Sequence, residues 1–270
     1  MRKLILFLLI VLACLLPPPA DADSFTVISR PCPGGVTAAT DACGVSTSLS
    51  YAFAYTGNHA SGAGYACYKS TGTVSAENLT EADTGTNVTI SADYVQFTAA
   101  DNYVSWPVAS GSNTGFSSSA GTIFFTYTVV DGDANSDLDA NQPIEIRQGS
   151  GNYIYITTVD TGNYIQCKWR DNTGTAQTIT SSVGMSLNTA YRVGYSWNAA
   201  GDVHSVSVVT LGSATSWEDS TGATLNAWVA EPTTIVVGDD GNIYSNPDTN
   251  RVTDIYIFSG VKATDPLAGS

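Results

Sequence analysis

The sequence predicts an all-β fold, an antiparallel β-sandwich, for the larger part of the chain. Three observations predict it. From residue 92 onward, short runs rich in Val, Ile, Tyr, Phe and Thr alternate with clusters of Gly, Asn, Asp and Ser. Inside those runs apolar and polar side chains alternate, which is the period of a strand with one buried face. No window of a dozen residues carries a helical stripe.

The runs fall at 93–97, 103–106, 121–130, 143–148, 152–158, 163–170, 176–181, 190–198, 202–211, 233–237 and 251–259. Turn chemistry joins several of them directly. Asp160-Thr161-Gly162-Asn163 and Asp171-Asn172-Thr173-Gly174 supply residues that tolerate positive φ, as does the stretch from Asn198 to Asp202. Residues 152–181 therefore read as a three-stranded meander.

The chain before residue 91 differs. Arg2 and Lys3, the apolar run 4–16, the helix-breaking Pro17, Pro18 and Pro19, and Ala20-Asp21-Ala22 make residues 1–22 a cleavable export signal. The apolar run is shorter than the roughly 20 residues of a membrane span. Val11-Leu12-Ala13-Cys14 approaches a lipobox, so a lipid anchor on Cys14 is the second reading of the same segment. Residues 23–90 hold Cys32, Cys43 and Cys67 among many small residues with weak periodicity, although 51–55 has strand character. They read as a small N-terminal segment tied by a Cys32–Cys43 disulfide, either leading into the sandwich domain at 91–270 or packing on it. Cys67 competes for either partner, and Cys167 has the alternative of being a small buried hydrophobe.

After removal of residues 1–22, 8 basic and 23 acidic residues remain, a net charge of −15. Such a chain repels nucleic-acid phosphate, which excludes nucleic acid as a partner. With His59 and His204 as its two histidines and no paired Cys spacing, it offers no zinc site. An extracellular or cell-surface location follows from the export signal. The sequons at Asn78 and Asn87 matter only where the host glycosylates.

The order of runs resembles the concanavalin A-like superfamily, laminin G-like domains in particular. Residues 92–97 and 101–107 look like that family's opening strand pair, 121–130 its next long strand, and 190–198 with 206–208 its long central hairpin; 234–240 and 253–258 look like its closing pair. The resemblance covers about 92–267 and implies a jelly roll. It implies no single activity, because the superfamily includes lectins, adhesion modules and polysaccharide-cleaving enzymes.

Strand parity divides the meander into two faces. Ile144 and Ile146, Ile154 and Ile156, and Ile165, Cys167 and Trp169 form the apolar set expected in the core; Tyr195 and Trp197 join it. The opposite parity gives Glu145, Arg147, Tyr153, Tyr155, Tyr164, Gln166, Lys168 and Arg170. Flat phenol rings beside amides and cations suit a sugar, whose C–H face stacks on a ring while its hydroxyls take hydrogen bonds. The plain alternative is a solvated sheet face of good cross-strand neighbours.

Two loops are rich in oxygen ligands. Asp131, Asp133, Asn135, Asp137 and Asp139 alternate in a way that can wrap calcium, although Ser136 and Gln142 depart from the EF-hand pattern. Asp239, Asp240 and Asn242 make a lesser cluster, and ordinary turn use explains both equally simply. Catalysis finds little support. Glycoside hydrolysis needs two carboxylates at set spacing, and Glu77, Glu81, Glu145, Glu218 and Glu231 start no such pattern. Neither histidine has a Gly-x-Ser-x-Gly partner. The functional expectation is a carbohydrate-binding or adhesion module with a glycan partner. A polysaccharide lyase or hydrolase, and a structural envelope or fibre component, are the alternatives.

Overall fold

The computed structural model describes strand backbone at intervals between residues 53 and 107. It describes 117–130, 141–149, 151–159, 162–171, 173, 176–220, 224–226, 228, 230, 232–238 and 250–266 beyond that. The export signal, Cys14, Cys32, Cys43, Asp131, Asp133, Asn135, Asp137, Asp139 and the 239–242 cluster lie outside the described residues. All described residues belong to one unit, Ala38–Ser270.

The strands in chain order are β1 Phe53–Tyr55, β2 Tyr65–Ser70, β3 Thr73–Asn78, β4 Val88–Ile90, β5 Val95–Phe97, β6 Tyr103–Pro107, β7 Ala120–Val129 and β8 Asn141–Gln148. There follow β9 Asn152–Val159, β10 Tyr164–Arg170, β11 Ala176–Gly184, β12 Ala190–Asn198, β13 Val203–Thr210, β14 Glu218–Asp219, β15 Thr234–Gly238 and β16 Asn250–Ser259. Each of the eleven expected runs is a strand, with ends shifted by a few residues at most.

Two antiparallel sheets result. One runs β11-β10-β9-β8-β15-β6; the other runs β14-β13-β12-β7-β16-β1-β2-β3, with β5 also on β16 and β4 on β5. Strands β1 to β5, drawn from the stretch the sequence sets apart and from its border, thus hydrogen-bond into the larger sheet.

The core lies between the sheets. Ile123, Phe125 and Tyr127 of β7 and Val193, Tyr195 and Trp197 of β12 face Ile144, Ile154, Ile165, Cys167 and Trp169 of the smaller sheet. Each large side chain withdrawn from water in this way contributes about 1.5–3 kcal/mol before entropy is charged against it. Trp228, outside any strand, closes one end by packing 5.2 Å from Trp169.

One irregularity could not be read from parity. In β16, Val252, Ile255 and Ile257 all point inward, which strict alternation forbids. A bulge between Thr253 and Tyr256 absorbs the extra residue, and Asp254 takes a left-handed conformation with φ of 49°. Asn163, at φ 51°, makes the β9–β10 turn, and Asp202, at φ 50°, the β12–β13 turn. These are the residue types that tolerate the conformation best after glycine.

Candidate functional site

The face expected to bind lies on the outside of the smaller sheet, and pairing fixes its layout. One cross-strand row runs Ala176, Arg170, Tyr153, Arg147, Thr234 from β11 to β15. The next runs Thr178, Lys168, Tyr155, Glu145, Val236. A third sets Thr180 beside Gln166 and Thr157. Directly opposed residues have Cβ atoms about 4.5–5.5 Å apart, so each row is a contiguous strip of side chains.

The strips are not evenly open. Ala176, Thr178 and Thr180 on β11 are exposed, and Tyr164, Gln166, Lys168 and Arg170 on β10 are half-buried. Further along the same rows, Thr157 and Val236 are fully buried. Glu145 and Tyr155, expected on a solvent-facing surface, are buried too, at 1% and 7% exposure. Both stand in the row that ends on the buried Val236, whereas Arg147 and Thr234 in the neighbouring row are half-buried. Tyr155 also lies beneath Tyr153, with ring centroids 3.8 Å apart and planes 14° from parallel. Its role is that of a support for Tyr153.

Local contacts hold the face's side chains in place. Gln166 Nε2 donates to Thr180 Oγ1 at 3.1 Å. Arg170 Nη1 lies 3.5 Å from the Tyr153 hydroxyl, with its guanidinium carbon 5.5 Å from that ring's centroid. Arg147 Nη1 reaches Glu145 Oε2 at 3.7 Å. Tyr164 rests on glycine backbone, because a Cβ on Gly162 would stand 2.3 Å from its ring and one on Gly184 3.3 Å. At the end of β10, Asp171 turns to other partners. Its Oδ1 accepts from the Thr173 amide at 2.8 Å and its Oδ2 from Asn226 Nδ2 at 2.7 Å. Burial pushes this carboxyl up, but the bonds from Thr173 and Asn226 outweigh it and hold the group below the ordinary carboxylate range.

Among the described residues, no three His, Cys, Asp or Glu side chains gather to hold a metal. Those residues also include no helix long and apolar enough to cross a membrane.

Neither a family model nor a curated protein matches the chain. Solved structures do. The binding domain of botulinum neurotoxin serotype D superposes with a TM-score of 0.51 at 14% identity, over 79% of this chain and 48% of that one. The serotype G binding domain gives 0.51 at 12% identity, over 79% and 49%. In fold, the chain is similar to these neurotoxin binding domains. It spans about half the length of each. The Ruminococcus gnavus IT-sialidase CBM40 bound to alpha2,3 sialyllactose also aligns, at 8% identity over 63% of this chain and 91% of that one, with a TM-score of 0.45. At these identities the neurotoxin-domain likeness establishes the β-sandwich and nothing finer.

Sequence reasoning missed the polar features inside and behind the sandwich. His204, on β13, is buried against Tyr195, whose ring it meets edge-on at 5.5 Å, and neither ring nitrogen has a partner. Burial lowers its pKa to about 4. Cys167, which alternation does place in the core, is a free thiol there, and burial raises its pKa. On the outside of the larger sheet, Arg192 Nε donates to Asp265 Oδ2 at 2.5 Å, a buried pair. A basic residue inside an otherwise apolar strand was the available signal for Arg192. Nothing local marked Asp265 as its partner, 73 residues away.

Proposed function

We propose that this chain is a secreted or cell-surface carbohydrate-binding module with laminin G-like strand order. Its ligand lies on the smaller sheet's outer face, over β9 and β10 and toward the open edge at β11. The observation that carries the reading is the half-buried Tyr153, stacked on Tyr155 and flanked across the sheet by Arg170 and Arg147. It gives a rigid aromatic platform with hydrogen-bond donors on both sides. Tyr164, Gln166 and Lys168 extend the same strip along β10. A shallow strip of this size implies micromolar to millimolar affinity per site, about −8 to −4 kcal/mol.

The residues between β7 and β8, Asp131, Asp133, Asn135, Asp137 and Asp139, are assigned in this reading to calcium, with titration calorimetry of the calcium-stripped protein as the check. Export through cleavage after Ala22 predicts a secreted protein beginning at Asp23; lipidation at Cys14 would instead leave it in the membrane fraction. The binding reading is tested on a glycan array with Tyr153→Ala and Tyr164→Ala. Binding by the parent protein and its loss in both variants is the expected result. Unchanged binding in folded variants removes the site.

A further inference from the structure

Among the described residues, two arginines sit on tyrosine rings in nearly the same way, and only one of them has a carboxylate there. Arg192 has its guanidinium carbon 5.5 Å from the Tyr256 ring centroid and 5.8 Å from that of Phe124. Its Nε donates to Asp265, and its Nη1 to Thr126 Oγ1 at 3.3 Å and to the Asp254 carbonyl at 2.8 Å. Arg170 has its guanidinium carbon 5.5 Å from the Tyr153 ring centroid. It makes one long bond, to the Tyr153 hydroxyl, and its Nε is buried with no acceptor. Asp171, the adjacent carboxylate, is taken up by Thr173 and Asn226.

The surrounding charges point the same way. The two rows that contain Tyr153 and Tyr155 hold Arg147, Lys168 and Arg170 against one carboxylate, Glu145, which lies 3.7 Å from Arg147. This local excess of cations stands on a chain of net charge −14. A guanidinium held on a ring, partly withdrawn from water and without a counter-ion among the described residues, is a ready site for a planar or tetrahedral anion, which it binds by paired charged hydrogen bonds.

Resting on the carbohydrate-binding reading, we infer that the ligand is an acidic saccharide, and that Arg170, assisted by Lys168, binds its carboxylate or sulfate at the exposed edge of Tyr153. The ligand's acid would stand to Arg170 as Asp265 stands to Arg192.

The test uses the mature full-length protein and calorimetric titration with matched pairs. Tetragalacturonate is compared with its fully methyl-esterified form, and a sulfated galactan hexasaccharide with its desulfated form. Hexaglutamate is the charge control. We expect an acidic sugar of at least one pair to bind tenfold or more tightly than its neutral partner, and hexaglutamate not to bind. Which pair responds identifies the anion as carboxylate or sulfate. Arg170→Gln should abolish that preference and Lys168→Gln should weaken it, both with unchanged near-ultraviolet circular dichroism. Equal binding of acidic and neutral forms, or a preference that survives Arg170→Gln, overturns the inference and leaves the carbohydrate reading standing. Equally tight hexaglutamate overturns the sugar component. If no saccharide binds in either charge state, both readings fall.

Discussion

The outer faces of the two sheets carry similar residues and have opposite fates. On the larger sheet, Phe124, Phe258 and Arg192 are met from outside by the chain's own Trp217, Lys262 and Asp265. Thr122 Oγ1 donates to the Gly260 carbonyl and accepts from the Lys262 amide, and Trp217 Nε1 donates to the Ala263 carbonyl. The Asp265 amide donates to Thr215 Oγ1, which delivers the Asp265 carboxylate to Arg192. On the smaller sheet, the β10–β11 half keeps tyrosine and arginine on an open strip. The difference teaches that composition alone does not mark a binding face. What marks it is whether the chain supplies its own cover and counter-charge.

The largest effect should come from uncovering the closed face. Asp265→Ala leaves Arg192 buried and unpaired, which costs about 3–5 kcal/mol. Urea denaturation should show the loss, and Asp265→Leu combined with Arg192→Met should recover much of it. A cost below 1 kcal/mol would mean that the pair is not buried in solution, and the contrast between the faces would fail.

Acid should act next, through the interior behind that face. His204 has its folded pKa lowered to about 4 from the ordinary 6.5. Below pH 6.5 the unfolded chain takes up a proton that the folded chain refuses, so stability falls as pH drops from 6.5 toward 4. His204 accounts for on the order of 3 kcal/mol of that loss. Above pH 6.5 it contributes no pH dependence. His204→Phe should flatten this part of the stability curve relative to the parent, as followed by denaturation at several pH values.

A smaller effect is expected at Gly194. A Cβ there would lie 2.8 Å from the Phe124 ring and 3.0 Å from that of Trp217, which packs on Phe124 from outside the larger sheet. Gly194→Ala should cost about 1–3 kcal/mol through overpacking. The smallest effect on stability belongs to the open face: Arg170→Gln should change it by less than about 0.5 kcal/mol. A large loss there would show that Arg170 has a structural partner and would erase the contrast with Arg192.

Much of this fold was legible in the order and parity of short runs. The core set of Ile144, Ile154, Ile165, Cys167 and Trp169 lies where alternation puts it, because antiparallel pairing keeps residues two apart on one face. Parity carries no information about what covers a face from outside. Glu145 and Tyr155 therefore read as accessible and are buried, and the tertiary partners of Arg192 went unseen. The β16 bulge escaped for a related reason, since one inserted residue resets alternation without changing composition. Strands β2 and β3 lie in a stretch of small residues whose side chains announce no face, so they left no periodic signal.

Strand β16 also dictates when the larger sheet can be completed. Along one edge it pairs with β7, and along the other with β5 at residues 250–252 and with β1 at 255–257. Until residues 250–259 are available, β1-β2-β3 and β4-β5 can pair only among themselves and have no route into the rest of the sheet, however early they leave the ribosome. Partners as distant as Phe53 and Ile257 must then find one another, a search that slows folding and prolongs the exposure of unpaired edges. A stop codon anywhere before position 250 would therefore disconnect both ends of this sheet rather than shorten one.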